Sequence, residues 1–331
     1  PEGSMAAAAD TDSVNALISD EDIEGRGPST KLGALIEDRE WTDVISHLNT
    51  DSGRQEAAVC DEYDDGLPLH AACRNDPPLE VIVALIDSNP RGPAAADDEG
   101  RLPLHSACGC KPPPSKDVLS ELLRVHPEGA FAADAEGQIP LTQACIEEAP
   151  LWLIRSLLDV HPAGARAVDG DGNLPIHWAF HSGPSAVDTT ELLLSAYPEA
   201  ASKRNSSGSL PVHRACTQNA PVPVVNMLLE EFSDGASSAD EDGNLPIHLL
   251  CRKGSPFRDD AHGLPSYLDL PEGVVISPRN GSETAGTDPK NALDVMELLL
   301  KFHHDGASAA NRFGELPLHR ACSEEAPLEL V

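Results

Sequence analysis

A short apolar phrase recurs along the chain, and in most copies a cysteine follows three residues after its histidine. The phrase reads Leu-Pro-Leu-His or a close variant, and its copies begin at Leu67, Leu102, Ile139, Leu174, Leu210, Leu245 and Leu316. Successive copies start 35, 37, 35, 36, 35 and 71 residues apart. A fixed period of this size predicts a stack of similar supersecondary units, and such stacks present a long surface.

Each unit repeats the same order of polar and apolar positions. A polar turn that ends in glycine, as at residues 97–100, precedes the phrase, and such residues tolerate a positive φ. Proline then stands at the start of a short helix, where its missing N–H is harmless. A second proline, such as Pro150, restarts the chain, and the next segment carries apolar residues with helical spacing at Leu151, Ile154, Leu157 and Leu158. The pattern therefore predicts a short helix and a longer helix in every unit.

These features together resemble the ankyrin repeat, in which Asp-x-x-Gly-x-Thr-Pro-Leu-His precedes two helices and a Gly-Ala pair. Gly-Ala follows the longer helix at Gly129-Ala130, Gly164-Ala165, Gly235-Ala236 and Gly306-Ala307. The resemblance covers residues 30 to 331 and implies an all-α solenoid of helix-turn-helix units joined by short β-turn or hairpin tips. Leu or Ile replaces the usual Thr, and Pro replaces the usual Gly-His between the helices, which indicates a divergent subtype.

The same patterns predict how the chain is divided. Residues 1–29 are expected to be a disordered acidic segment, residues 30–60 to form N-terminal capping helices, and residues 61–331 to form seven repeats. The 71-residue interval predicts a disordered insertion at 253–290, between the two helices of the sixth unit, because that stretch is rich in Gly, Pro, Ser and Asp. The seventh unit stops inside its second helix, so we expect the protein to continue beyond Val331.

Charge and cysteine content limit the classes of partner and the cellular compartment that fit this chain. Lys plus Arg is 23 and Asp plus Glu is 55, which leaves a net charge of −32. This charge repels phosphates and argues against nucleic acid and anionic membranes; it favours a basic partner or serves solubility alone. No apolar run approaches the ~20 residues of a transmembrane helix, and no secretory signal pattern is present. Eight cysteines without close pairing indicate a reducing compartment, the cytoplasm or nucleus, and we expect a monomer.

The His-x-x-Cys pattern, present five times, is the strongest chemical signal. Positions i and i+3 share a helix face, so each copy could be half of a zinc site. The ankyrin resemblance instead implies that the histidine holds the turn and that the cysteine packs in a small buried position. No phosphate-binding loop or catalytic group of any specificity is present, so we expect no enzyme activity, no cofactor and no metal. Metal or redox sensing through the His-x-x-Cys row remains a weaker alternative.

The ankyrin resemblance also implies where a partner binds, on a concave face made of turn tips and the exposed side of the first helix. The residue after the histidine varies from unit to unit, and its candidates are Gln143, Trp178, Arg214 and Arg320. Trp178 is the foremost, because Trp and Arg are common interface anchors; the alternative is packing within its own unit beside Phe180. The tip candidates are Tyr63, Asp98, Glu99, Arg101, Glu136, Asp171, Glu241, Asp242 and Phe313.

The sequence thus predicts a protein-protein interaction module that binds a partner protein, basic in one interpretation, on the concave face without catalysis. An alternative is that the array is the recognition arm of a larger enzyme or signalling protein whose catalytic domain lies outside these residues.

Overall fold

The computed structural model describes residues 30–60, 66–180, 185–251 and 289–323. The expected disorder of residues 1–29, most of the 253–290 insertion and the end of the seventh unit fall outside these ranges, as does Tyr63. Within them, the chain forms helices and turns and has no β-strand.

Three short helices open the array: α1 (Lys31–Glu37), α2 (Trp41–Leu48) and α3 (Asp51–Glu56). The hydroxyls of Thr30 and Thr50 accept the N–H of the third residue beyond each, Gly33 and Gly53, and so cap α1 and α3. Apolar residues at helical spacing, Leu32, Ile36, Val44 and Leu48, are buried against the first repeat unit. The pattern predicted the first two helices, whereas α3 carries mostly polar residues and was not predicted as a helix of its own.

Seven units follow, each containing one phrase and numbered one to seven along the chain. Their helices are α4 (Pro68–Arg74), α5 (Leu79–Ser88), α6 (Pro103–Gly109), α7 (Lys116–Val125), α8 (Pro140–Ile146), α9 (Leu151–Val160), α10 (Ser185–Ala196), α11 (Pro211–Thr217), α12 (Val222–Glu231), α13 (Pro246–Leu250), α14 (Pro289–Phe302) and α15 (Pro317–Ser323). In unit four, a 3-10 helix (Pro175–Trp178) takes the place of the first helix. Six more 3-10 turns follow the second helices, at Gly92–Ala94, Pro127–Phe131, Pro162–Arg166, Pro198–Ser202, Ser233–Ser237 and His304–Ser308.

The local reasons for these boundaries are visible in the backbone. Every first helix begins at the proline of its phrase. Proline has no N–H, so it leaves no unpaired donor at the first position of a helix. The link to the second helix bends at a left-handed residue, with φ of 53° at Asp76, 56° at Glu148 and 51° at Asn219. Helix α14 begins at Pro289, inside the range assigned to the insertion, because a proline can start a helix before the apolar spacing resumes.

One continuous core runs through the stack between the first and second helices. It is built mainly of Leu, Ile, Val and Ala, and burying such a large aliphatic side chain stabilises a fold by ~1.5–3 kcal/mol. The His-x-x-Cys cysteines that the structure describes, Cys73, Cys108, Cys216 and Cys251, are buried at the first helices, and Phe180, which is fully buried, takes that position in unit four. Among the helices that the structure describes, none is long and apolar enough to cross a lipid bilayer.

Candidate partner-binding surface

The side chain of the first residue closes each turn tip. In unit two, Oδ1 of Asp97 accepts the backbone N–H of Glu99 at 3.1 Å and of Arg101 at 2.8 Å. The same pair of bonds recurs at Asp134, Asp169, Asn205, Asp240 and Asn311. The fourth residue of each of these tips is a glycine with φ between 71° and 77°, a conformation that residues with a Cβ rarely adopt. An acidic or amide residue and a glycine therefore give every tip the same shape.

Backbone hydrogen bonds join successive tips into one ledge. The N–H of Ala135 donates to the carbonyl of Glu99 at 2.9 Å, and Ser206 donates to Asp171 at 2.8 Å. The equivalent bonds run from Gly170 to Glu136, from Glu241 to Ser207 and from Arg312 to Asp242. The residues at the ends of the tips thus project in register along the stack.

In units one, two, five and six, the histidine of the phrase connects the unit to the next. Nδ1 of His70 accepts the N–H of Leu67 at 3.1 Å, and its Nε2 lies 3.0 Å from the carbonyl of Arg101 in the following tip. Because Nδ1 accepts, the ring proton is on Nε2, which donates to that carbonyl. His105, His213 and His248 bridge in the same way. A turn closed by Asp and Gly, proline at the helix start and a histidine that holds the turn are the features that the resemblance implied. The bond from the histidine to the next unit was not among them.

The units have the ankyrin-repeat fold.

Comparison with known proteins gives little beyond the fold. No protein-family model matches the chain, and no curated protein matches it. Among the solved structures that match is the ankyrin repeat domain of Bcl-3, a unique member of the IkappaB protein family. That domain is 23% identical, and the alignment covers 66% of this chain and 92% of that chain with a TM-score of 0.48.

The variable residues that follow the histidine form a row along the first helices. Their side chains are partly or fully buried. Gln143, Trp178, Arg214 and Arg320 are half-buried, whereas Ser106 is buried. Residues of this row contact neighbouring units. Arg74, which lies outside the row on the first helix of unit one, donates from Nη1 to the Ser106 hydroxyl at 3.3 Å. The row is therefore a packed floor between the units and not a line of separate side chains.

Trp178 and Arg214 form the centre of this floor. The indole Nε1 of Trp178 donates to Oδ2 of Asp169 at 3.0 Å, and the guanidinium of Arg214 lies 4.9 Å from the Trp178 ring centroid. A cation over an aromatic face is stabilising by ~0.5–1 kcal/mol or more. The sequence singled out Trp178 and Arg214 separately but missed their stacking, and it also missed Asp169 as the residue that orients the indole.

All six acidic tip candidates are exposed at the ends of the tips: Asp98, Glu99, Glu136, Asp171, Glu241 and Asp242. Two arginines partly offset them. Arg101 forms ion pairs with Asp97 and Glu99, and Arg312 forms one with Asp242.

The two remaining candidates lie at the last unit. Phe313 is 60% exposed at the last described tip, with the guanidinium of Arg312 at 5.0 Å from its ring. Arg320 is held by its own tip, since Nε donates to the Glu315 carboxylate at 3.2 Å.

The histidines and cysteines at these repeat positions are engaged in the fold in ways that bear on metal or redox chemistry. Burial raises the pKa of the Cys145 thiol to about 12 and that of Cys251 to about 11, so both are protonated at neutral pH. Burial lowers the pKa of His177 and of His213 to about 4, so both rings are neutral. In the part of the chain that the structure describes, the cysteines are free thiols, and no three His, Cys, Asp or Glu side chains converge to hold a metal ion.

Proposed function

We propose that this chain is a non-catalytic ankyrin array that captures a partner protein on the surface made of the tip ledge and the floor around Trp178 and Arg214. The single observation that carries the proposal is the stacked Trp178–Arg214 pair, which puts the two most common kinds of interface anchor on one half-buried surface. Asp169 holds the indole in a fixed orientation, which lowers the entropy that binding would otherwise cost.

We further propose that the partner presents basic side chains to the ledge. Asp98, Glu136 and Asp171 follow one another on successive tips, all exposed. Aligned charges of one sign steer a complementary partner and raise its association rate, and salt screens them over ~8 Å at physiological ionic strength. We also propose that the chain works as a monomer in a reducing compartment, the cytoplasm or nucleus, where the free thiols of the described residues stay reduced.

The test is capture of partners from a cell lysate on the immobilised full chain and on two charge-matched variants. The first variant neutralises four exposed tip acids, by Asp98→Asn, Glu136→Gln, Asp171→Asn and Glu241→Gln. The control neutralises four exposed acids of the second helices, by Asp159→Asn, Glu191→Gln, Asp294→Asn and Glu297→Gln. Both change the net charge by the same amount and leave the core intact.

We expect proteins that the unmodified chain and the control retain, that the tip variant loses, and that moderate salt weakens. Arg214→Ala should weaken the same capture without lowering the melting temperature greatly, because Arg214 is half-buried. Equal capture by the tip variant and the unmodified chain would contradict the ledge as the binding surface. Equal loss from both charge variants would show that net charge alone, and not the ledge, is responsible.

A further inference from the structure

Unit four differs from its neighbours in its first helix. That element is a single 3-10 turn, Pro175–Trp178, whereas the first helices of the other described units are α-helices of five to seven residues. The hydrogen bonds of a 3-10 turn have poorer geometry than those of an α-helix. The first element of unit four therefore stabilises its unit less than the corresponding helices stabilise theirs.

The second helix of unit four, α10, carries two polar residues on its buried face. Thr189 and Thr190 lie eight and seven positions before Tyr197, the residue that follows the helix, and they are 5% and 0% exposed. The other described second helices hold two apolar residues at the same two positions: Val81 and Ile82, Val118 and Leu119, Leu153 and Ile154, Val224 and Val225, and Val295 and Met296. Among these helices, α10 is thus the one whose core pair is polar.

The two threonines weaken the packing of α10. The hydroxyl of Thr190 has no hydrogen-bond partner among the described residues. A buried hydroxyl without a partner costs free energy that an aliphatic side chain of the same shape does not cost. Thr189 lines a small cavity together with Cys145, Ile154 and Ala186, and side chains that line a void lose packing contacts. Both threonines therefore lower the stability of the second helix.

The junctions on both sides of unit four lack the histidine bridge. Thr142 stands at the histidine position of unit three, so no ring connects unit three to the tip of unit four. Nε2 of His177 is buried but makes no hydrogen bond of good geometry among the described residues. His105 and His213, by contrast, each reach a carbonyl of the following tip at 3.2 Å. Unit four is therefore held less firmly by both of its neighbours.

We propose that unit four is an opening point inside the array, where the buried Thr190 hydroxyl and the missing histidine bridges let the unit unfold locally while units three and five stay folded. A linear array otherwise opens from its ends, because an end unit has one neighbour and an inner unit has two. Each opening also separates Trp178 from Arg214, since these residues lie in units four and five. The proposal goes beyond partner capture, because it concerns the chain without a partner.

The test is native-state hydrogen exchange of the full chain in low concentrations of urea, followed by mass spectrometry of peptides from α9, α10 and α12. We expect the amides of α10 to exchange faster than those of α9 and of α12, because a local opening exposes them while the neighbouring helices stay protected. Protection of α10 that equals or exceeds the protection of either neighbour would overturn the proposal.

Exchanges between threonine and valine test the role of Thr190, because the two side chains have the same shape. Thr190→Val removes the unpaired hydroxyl and should slow the exchange of α10 by ~5-fold or more. Val225→Thr makes the reverse change at the equivalent position of unit five and should speed the exchange of α12 by a similar factor. Thr217→Val is the matched control, because Thr217 is exposed, and it should leave α10 unchanged. Unchanged exchange of α10 in Thr190→Val, or an equal change in the control, would refute the proposal.

Discussion

Two junctions between units share the same contacts between their tips: the junction of units four and five and the junction of units six and seven. The number of residues between the contacting tips differs. Nδ2 of Asn205 donates to Oδ1 of Asn173 at 2.8 Å across 32 residues, and Asn311 donates to Asn244 at 3.0 Å across 67 residues. The bond between tips recurs as well, at 2.8 Å from Ser206 to Asp171 and at 3.2 Å from Arg312 to Asp242. The geometry of a junction therefore depends on the tip motif and not on the length of chain between the tips.

The magnitudes explain this tolerance. Doubling the length of a flexible loop costs only ~0.6 kcal/mol of closure entropy, whereas a single net hydrogen bond contributes ~0.5–1.5 kcal/mol. The extra residues enter between α13 and α14, away from the tip that contacts unit seven. The histidines differ between the junctions. Nε2 of His248 reaches the carbonyls of Ala309 and Glu315, whereas Nε2 of His177 makes no hydrogen bond of good geometry among the described residues, although the Ser209 backbone lies near it.

Acidification should produce the largest loss in the free energy of unfolding, and it should destabilise units four and five first. Burial lowers the folded-state pKa of His177 and His213 to about 4 from an unfolded value near 6.5, so the unfolded chain binds more protons between these values. Their contribution is complete above pH ~6.5 and is lost as the pH falls toward 4, on the order of 3 kcal/mol for each ring. Urea unfolding at several pH values measures it, and His213→Gln should have a shallower slope; identical slopes would contradict the assignment.

Removing a bridging histidine should lower the free energy of unfolding almost as much. Removing one at each junction allows the two junctions to be compared directly. His213→Ala and His248→Ala each remove a buried ring and leave a leucine N–H and a tip carbonyl unpaired, at ~2–4 kcal/mol. His319→Ala is the control, because His319 is exposed and bonds only to Leu316, so its loss should stay below ~1 kcal/mol. A much smaller loss in His248→Ala than in His213→Ala would show that the insertion weakens its junction.

Replacing a tip glycine by Val should lower the free energy of unfolding moderately. The loss should be larger where the next tip lies closer. An added Cβ would lie 3.1 Å from the Ser206 hydroxyl at Gly172 and 2.7 Å from the Arg312 nitrogen at Gly243, but it meets nothing within 4 Å at Gly314. All three have a positive φ, so each change to Val costs ~1–3 kcal/mol, and Gly314→Val should cost the least. Pro175→Ala, which loses only a favoured first-turn residue, should be milder than Gly172→Val; equal melting temperatures would contradict this order.

Replacing one asparagine of each pair between tips should give the smallest loss in the free energy of unfolding. It also gives the most closely matched comparison of the two junctions. Asn173→Ala and Asn244→Ala each remove a bond to the aspartate of their own tip and a bond from the next unit, at ~1–2 kcal/mol. We expect the two losses in the free energy of unfolding to agree within ~0.5 kcal/mol. A larger loss at Asn173 would mean that the two junctions are equal in geometry but not in strength.

The fold was predictable because its signals are local and repeated. Proline marked each first helix, glycine marked each tip, and the apolar spacing marked each second helix. Unit four departs from this pattern, since its first helix is reduced to a 3-10 turn with Trp178 and Phe180 in place of smaller residues. Nothing in the composition of α3 indicated a helix, because Thr50 and the packing of its neighbours stabilise a segment without an apolar face.

The candidate surface was predictable only in part. Asp98, Glu136, Asp171 and Phe313 are exposed at the tips, and the sequence indicated these positions because tips are irregular and polar. The stack of Arg214 on Trp178 joins residues from two units, so no local pattern could predict it.

The sequence by itself determined the unit, its period and its turn chemistry, because helix starts, left-handed glycines and Asx-closed turns depend on residues a few positions apart. Only the tertiary structure decided which side chains meet across units: the histidine with the next tip, Asn244 with Asn311, and Arg214 with Trp178. Those contacts depend on how one unit is placed on the next, and that placement follows from packing and backbone hydrogen bonds between segments that lie far apart in the chain.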